Sequence, residues 1–178
     1  MLQSSSQQNI FLIGLMGSGK STIGRQLARA GKLDFFDSDA EIVERTGAEI
    51  AWIFDIEGES GFRKREKIVI DDLTQRSGIV LATGGGSVLD SDSRRVLTSR
   101  GIVVYISASL ERLFKRTSKD KSRPLLNRDD PYAVLQALQK ERDPLYREIA
   151  DMVIETDDCT VAQAVKQIRS QIQASQTD

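Results

Sequence analysis

Five short runs of almost continuously apolar residues divide the chain. They are IFLIG at 10–14, LDFFD at 33–37, IVLAT at 79–83, IVVYI at 102–106 and MVIET at 152–156. Strands that are buried on both faces of a parallel sheet have this pattern, because neither face meets water. The runs therefore predict five strands of one parallel sheet.

Longer stretches with helical spacing of apolar residues separate these runs. They are 20–30, 40–45, 50–57, 61–76, 91–99, 110–116, 132–150 and 161–173. Strand–helix alternation predicts an α/β sandwich with right-handed crossovers. Ligands of such sheets gather at the carboxyl ends of the strands, so the residues that carry chemistry should follow strand ends.

Length and charge narrow the class of protein. The 178 residues suit one domain spanning 1–178, and 25 Lys and Arg against 26 Asp and Glu give a net charge of −1. This balance provides no overall field for nucleic acid or an anionic membrane. No apolar run approaches membrane-spanning length, and the N-terminal MLQSSSQQ resembles neither a signal nor a transit peptide. We expect a cytoplasmic protein that binds neither nucleic acid nor membrane.

The chain has no histidine and one cysteine, Cys159. An internal disulfide, a thiolate-rich zinc site and all histidine-based acid–base chemistry are thereby excluded. Any proton transfer must use a carboxylate or a lysine.

GLMGSGKS, residues 14–21, matches the G-x-x-x-x-G-K-[S/T] phosphate-binding loop and lies between the first predicted strand and a helix. In such a loop, backbone N–H groups and the helix N-terminus surround the phosphates. Lys20 then reaches the β- and γ-phosphates, and the Ser21 hydroxyl is a ligand for Mg²⁺. The motif predicts nucleotide binding.

The second strand ends in Asp37-Ser38-Asp39, which has two interpretations. Ser38 followed by Glu41 is a capping box for the next helix. A phosphoryl transferase, however, needs a carboxylate at the acceptor hydroxyl and often one in the metal's water shell. In a chain without histidine, Asp39 and Asp37 are the candidates for these two tasks.

Glu66 interrupts an apolar helical stripe that Phe62, Val69 and Leu73 define. A carboxylate on such a stripe needs a partner, and Arg63, three residues earlier, is the nearest cation. Although a charged helix is usually a solvated face, this spacing predicts that Glu66 holds Arg63 toward the site.

Three glycines, Gly84, Gly85 and Gly86, follow the third strand. Their backbone N–H groups have no side chains in the way, which suits close approach of an anionic or hydroxylated ligand.

Arg142 lies between the apolar positions Leu138 and Leu145 and falls on the apolar stripe if the helix continues. Alternatively, Pro144 breaks the helix and Asp143 caps a restart. In both cases Arg63 and Arg142 can form a two-pronged clamp for a carboxylate.

The irregular segment 117–130, TSKDKSRPLLNRDD, is either a solvated loop or a mobile cover over a phosphate site. Lys119, Lys121 and Arg123 provide positive charge for such a cover.

Taken in order, GLMGSGKST, FFDSD, IFDIEGESGFRKRE, ATGGG, RPLL and ERDPLYREIA resemble the shikimate kinase family over nearly the whole chain. The resemblance implies a three-layer sandwich like that of the nucleoside-monophosphate kinases, with strand order 2-3-1-4-5. It also implies a mobile lid at about 117–130 and substrate-binding helices at about 38–76. The implied reaction is ATP-dependent phosphorylation of the 3-hydroxyl of shikimate, on the route to chorismate and the aromatic amino acids, by a monomeric enzyme.

The resemblance also assigns roles to residues. Those implied to bind ATP are Met16, Gly17, Ser18, Gly19, Lys20, Ser21, Thr22, Arg116 near the adenine, and Arg123 on the lid. Those implied to bind shikimate are Asp39, Arg63, Gly84, Gly85, Gly86 and Arg142. Lys20, Asp39 and Arg123 are the implied catalytic residues, and Ser21, with Asp37 through water, the implied Mg²⁺ ligands.

One loop departs from the family pattern, and two other functions stay open. After the last strand, many members have a basic residue and a proline beside the adenine, whereas this chain has Cys159 and Val161. A kinase for another hydroxy acid, such as gluconate, fits the paired arginines as well. A nucleotide-binding regulator without transfer activity is the third possibility.

Overall fold

The computed structural model describes residues 8–118, 124–126 and 129–176. The five predicted strands are confirmed as β1 (Ile10–Ile13), β2 (Asp34–Asp37), β3 (Ile79–Ala82), β4 (Ile102–Ser107) and β5 (Met152–Glu155). All pairings are parallel, and the strand order is β2-β3-β1-β4-β5.

The described residues form seven α-helices. They are α1 (Lys20–Gly31), α2 (Ser38–Thr46), α3 (Ile50–Thr74), α4 (Ser91–Arg100), α5 (Leu110–Thr117), α6 (Pro131–Ile149) and α7 (Val161–Ser175). Short 3₁₀ turns occupy Ser87–Leu89 and Pro124–Leu126. No helix in the described ranges is both long and apolar enough to cross a membrane.

Both faces are buried along the inner strands β1, β3 and β4, as the apolar runs predict, whereas the edge strands β2 and β5 are partly exposed. Phe11 and Ile13 of β1 pack into the core that α3, α4 and α6 cover, whereas Ile10 and Leu12 pack into the core under α1 and α7. Because successive side chains of a strand point to opposite faces, four consecutive apolar residues serve two cores. The result is the expected three-layer sandwich.

The two helices that the sequence predicts at 50–57 and 61–76 are the two halves of α3. They meet at Gly58, whose φ of 71° and ψ of 178° are not helical. A φ in this range strains any residue with a side chain, so glycine allows the break. The first half is thereby free to face the carboxyl end of the sheet while the second half packs on its surface.

Helix α6 runs through Pro144 without a restart, so the alternative of a broken helix is wrong. The proline leaves the Lys140 carbonyl without its helical donor, but both residues are exposed and water can replace that bond. Arg142 therefore stays in phase with the buried stripe.

Several residues of the segment 117–130, expected to be irregular, belong to regular elements or to the core. Thr117 ends α5 and is buried, and Leu126 belongs to the core beneath α6. Arg123, Lys119 and Lys121 lie outside the described residues.

Helix α1, which follows the phosphate-binding loop, packs tightly on the sheet at Gly24. A Cβ atom there would lie 2.6 Å from Phe35 Cε2 and 3.2 Å from Leu12 Cδ1. Ring and strand atoms fill the space that a methyl group needs, which fixes the distance between α1 and the strands that end at the site.

We expect Gly24→Ala to lower the free energy of unfolding by up to about 2 kcal/mol, because an overpacking penalty of about 1–3 kcal/mol exceeds the gain of about 1 kcal/mol in helix propensity. Gly31→Ala in the same helix is the control, since its Cβ would meet only Leu33, at 3.4 Å. Urea denaturation measures both variants. A Gly24→Ala protein as stable as the Gly31→Ala protein would contradict the packing argument.

Candidate active site

The loop between β1 and α1 has the conformation of a phosphate cradle. Gly19, just before α1, has a φ of 100°, which favours glycine. At Gly14, a Cβ atom would lie 2.4 Å from the Ile106 carbonyl oxygen of the neighbouring strand. Lys20 Nζ donates to the carbonyl oxygens of Gly14 (2.7 Å) and Leu15 (2.8 Å), so the ammonium group lies across the mouth of the loop.

Asp37 connects this loop to the acceptor side. Its Oδ2 accepts a 2.5 Å hydrogen bond from the Ser21 hydroxyl, and its Oδ1 accepts from the backbone N–H groups of Asp39 and Ala40. Asp37 is therefore the N-cap of α2. One carboxylate joins the start of α1 to the start of α2, and it leaves Asp39 on the first turn of α2.

The capping box expected from Ser38 and Glu41 is wrong. Ser38 is fully buried, and its hydroxyl oxygen accepts a 2.8 Å hydrogen bond from the Gly84 N–H. Consequently this amide is not available to a ligand, contrary to the expectation that all three glycines present free N–H groups. Ser38 instead fixes the glycine loop beside α2.

The glycines 84–86 admit charged side chains close to the backbone. A Cβ atom at Gly84 would lie 2.3 Å from Glu66 Oε1 and 2.9 Å from Asp39 Oδ1. At Gly86 it would lie 2.2 Å from Arg63 Nη2. None of the three has a positive φ. Their absence of side chains, rather than backbone freedom, is what this site requires.

Glu66 holds Arg63, as the helical spacing predicts. Glu66 Oε2 accepts a 2.7 Å bond from Arg63 Nη1, and the exposed Glu59 accepts a 3.1 Å bond from Nη2. Burial raises the pKa of Glu66 to about 7; the positive charge of Arg63 opposes this shift, and the neighbouring Asp39 adds to it. Burial therefore disfavours the charged form of Glu66, and the exposed Glu59 is the second carboxyl group that compensates the charge of Arg63.

Arg142 is buried to 2% exposure. Its Nη1 lies 3.6 Å from the position that a Gly85 Cβ would occupy, and its nearest carboxylate, the exposed Glu141, is 3.7 Å from Nε. Among the described residues, neither Arg142 Nε nor Arg63 Nε has a hydrogen-bond partner. Buried guanidinium donors without acceptors are unfavourable, so both groups are suited to an anionic ligand.

All these elements meet at one cavity of about 500 Å³, a size typical of small-molecule sites. The cavity brings together most residues that the sequence and the resemblance predicted. Those that line it are Met16, Gly17, Gly19, Lys20, Ser21, Thr22, Asp37, Asp39, Arg63, Gly84, Gly85, Gly86, Arg116 and Arg142.

Three of the predicted residues need separate description. Ser18 is buried beneath the loop and does not line the cavity. Arg116 does line it, and its Nη1 donates to the Gly17 (3.0 Å) and Ser18 (3.2 Å) carbonyl oxygens. Arg123 lies outside the described residues.

Sequence reasoning missed the apolar wall of the cavity. Ile50, Phe54 and Phe62, on the two halves of α3, line it, with Phe54 and Phe62 rings 4.9 Å apart. Thr83, at the end of β3, and Leu125 also contribute. Apolar residues four apart on a helix, such as Ile50 and Phe54, usually face a core. Only the glycine at position 58 indicated that the first half of α3 could turn toward a site instead.

The comparisons with known proteins point to a single family. A family model described as shikimate kinase matches residues 16–173. The shikimate kinase of Aliivibrio fischeri is 56% identical over 168 residues, covering 94% of this chain and 95% of the relative. That of Photobacterium profundum is 55% identical over 172 residues, covering 97% and 96%.

Solved structures agree with this match. The shikimate kinase of Acinetobacter baumannii in complex with shikimate has a TM-score of 0.94 at 46% identity, covering 97% of this chain and 96% of that one. The Aquifex aeolicus shikimate kinase has a TM-score of 0.82 at 35% identity, covering 94% and 97%. With its matching sequence, sheet order and fold, this chain belongs to the shikimate kinase family.

Proposed function

We propose that this enzyme transfers the γ-phosphoryl group of ATP to the 3-hydroxyl of shikimate, on the route to chorismate. The observation that carries the proposal is one cavity that joins a phosphate-binding loop to two guanidinium groups, each with a buried donor that has no partner in the described part of the chain. A nucleotide-binding regulator needs the first feature but not the second. A relative of the same fold was solved with shikimate bound.

The nucleotide half of the cavity contains the loop between β1 and α1, together with Lys20 and Arg116. On ATP binding, Lys20 exchanges the Gly14 and Leu15 carbonyl oxygens for phosphate oxygens, where its charge stabilises the negative charge that develops during transfer. Arg116 lies against the loop, in reach of the nucleotide. The positions of Arg116 at the adenine and of Arg123 at the γ-phosphate stay predictions.

The Ser21 hydroxyl and the Asp37 carboxylate fit a magnesium ion. Both are oxygen donors, they lie 2.5 Å apart, and both line the cavity. The described residues contain no cluster of three or more acidic or thiolate side chains that would hold a metal by themselves. This agrees with Mg²⁺, which keeps several waters and binds through few protein groups and the phosphates. When bound, the ion neutralises phosphate charge.

Arg63 and Arg142 would bind the acceptor's carboxylate. They lie beside adjacent glycines of one loop, and each has a buried Nε–H without a partner among the described residues. A planar carboxylate satisfies such donors in pairs. Phe54, Phe62 and Ile50 provide an apolar face for a carbon ring.

Asp39 would act at the acceptor hydroxyl. It lines the cavity from the first turn of α2, and its Oδ1 lies close to Gly84. In the transfer step the hydroxyl oxygen bonds to the γ-phosphorus, the bond to the bridging oxygen of ADP breaks, and Asp39 takes the hydroxyl proton.

A monomeric state and a cytoplasmic location belong to the same proposal. Both stay predictions from the composition and the resemblance.

The experiment that tests the function is a coupled assay of ADP release with shikimate, quinate and gluconate as acceptors. We expect turnover with shikimate far above that with gluconate, because the two arginines and the apolar wall fit a carboxylate on a ring and gluconate is an open chain. Lys20→Ala should nearly abolish it while the protein stays folded. Turnover with gluconate alone would identify another acid kinase, and ATP hydrolysis that no acid stimulates would favour a regulator.

The carboxylate clamp predicts that Arg63→Ala and Arg142→Ala each weaken shikimate binding by ~2–4 kcal/mol, the range for truncating one partner of a buried charge pair. Calorimetric titration measures the affinities. Arg65→Ala is the matched control, because Arg65 lies on the same helix but pairs with Glu57 at the surface.

An analogue of shikimate without the carboxylate should bind poorly to the wild type and respond little to either substitution. If acid and analogue lose equal affinity in both variants, the arginines do not bind the carboxylate.

For Asp39→Asn we expect a fall in kcat of ~10²-fold or more, the scale for losing a positioned base, with ATP binding retained. Rapid-quench measurement of the transfer step and a separate ATP titration separate the two effects. An unchanged kcat with weakened ATP binding would place Asp39 in the metal site instead.

A further inference from the structure

Tyr146 is a buried side chain that the proposed mechanism does not use. It lies on α6 one turn after Arg142, is 0% exposed, and does not line the cavity. Its hydroxyl donates a 2.5 Å hydrogen bond to the Gly85 carbonyl oxygen. Burial raises the pKa of Tyr146 well above its ordinary value, so the hydroxyl keeps its proton and stays a donor.

Gly85 is the point where three parts of the site meet. The position of its missing Cβ lies 3.4 Å from the Gly14 carbonyl oxygen and from the Met16 nitrogen, both of the phosphate loop. It also lies 3.6 Å from Arg142 Nη1. Gly85 therefore lies between the phosphate loop and Arg142, so the orientation of its peptide groups affects both neighbours.

The Gly85 carbonyl and the Gly86 N–H belong to one peptide unit. The described chain has no cis peptide bond, so these two groups point in opposite directions and fixing one fixes the other. Tyr146 draws the carbonyl toward α6, outside the cavity lining. The Gly86 N–H consequently points the opposite way. Gly86 lines the cavity, and Arg63 lies beside it.

We propose that Tyr146 is a positioning residue for the acceptor: its hydroxyl sets the plane of the 85–86 peptide and thereby aims the Gly86 N–H at the bound acid. The inference rests on the proposed function, because it assumes that the acceptor lies between the glycine loop and the two arginines. Tyr146 would then affect the affinity for the acceptor although it contacts neither substrate.

Attachment of α6 to the sheet does not depend on this hydroxyl. Tyr105 of β4 stacks on the Tyr146 ring with centroids 4.9 Å apart, and its own hydroxyl donates to Asp143 Oδ1 at 2.8 Å. Asp143 in turn pairs with Arg147 at 2.8 Å. These contacts fix the helix, so the Tyr146 hydroxyl is left to hold the Gly85 carbonyl and to interact with the Arg142 guanidinium, which lies on the same side of the loop.

The stacked pair supplies a matched control. Tyr146→Phe and Tyr105→Phe each delete one phenol oxygen from the same stack, but only the first touches the glycine loop. We expect Tyr146→Phe to raise the KM for shikimate about five- to tenfold, the effect of losing one buried hydrogen bond. The KM for ATP should stay within about twofold, and Tyr105→Phe should leave both KM values near those of the wild type.

Urea denaturation of both variants separates stability from positioning. A shikimate KM for Tyr146→Phe within about twofold of the wild type would overturn the inference. The inference would also be overturned if Tyr146→Phe raised the KM values for shikimate and ATP equally, or if Tyr105→Phe raised the shikimate KM as much as Tyr146→Phe does. Either result indicates a general loss of structure.

Amide hydrogen exchange in the wild type gives a second test that does not depend on a variant folding. Addition of shikimate should protect the Gly86 amide, and unchanged exchange there would overturn the inference. Failure of the proposed function has a different signature: the wild type itself would not phosphorylate shikimate. In that case both proposals fall, whereas normal wild-type turnover with an unaltered Tyr146→Phe variant removes this inference alone.

Discussion

Two guanidinium groups beside three consecutive glycines, the buried Arg142 and the partly buried Arg63, set the conditions that the acceptor half of this enzyme must meet. Removing Arg142 and Arg63 from water is unfavourable unless acceptors replace the lost hydration. Glu66 provides part of this compensation through its 2.7 Å bond to Arg63, but its own burial raises its pKa to about 7. Within the described residues, Arg142 and Arg63 each keep a buried Nε–H without an acceptor, and the carboxylate of an acid can provide one.

The same constraint explains why glycines occupy 84–86. Side chains from α2, α3 and α6 converge on this loop. Glu66 and Asp39 take the space of a Cβ atom at Gly84, and Arg63 takes it at Gly86, whereas at Gly85 Arg142 is only in ordinary contact distance. Backbone groups then link the charged cluster to the rest of the fold, through Ser38 to Gly84 and through Tyr146 to Gly85. The acceptor half is thus built around a backbone segment rather than around one helix.

How much of this follows from the sequence depends on how local each interaction is. The strands were predictable because burial on both faces leaves a continuous apolar run, and the phosphate loop because its residues are adjacent. Glu66 and Arg63 were predictable because a helix brings residues three apart together. Ser38 was misjudged because its partner, Gly84, lies 46 residues away and displaces the local cap. Tyr146 gave no signal, because its partner is a backbone carbonyl 61 residues away.

The arrangement around Arg63 indicates how the acid can enter. A guanidinium group presents several donor edges, and here Glu66 takes Nη1 while Glu59 takes Nη2. These two pairs differ in strength: Glu66 is buried, whereas the Glu59 side chain is 48% exposed, and exposed pairs contribute at most about 1 kcal/mol. An incoming carboxylate can therefore replace Glu59 on Arg63 at small cost while Glu66 keeps the guanidinium in place. A lysine has no such separate edges, so holding the side chain and binding the acid at the same time requires arginine.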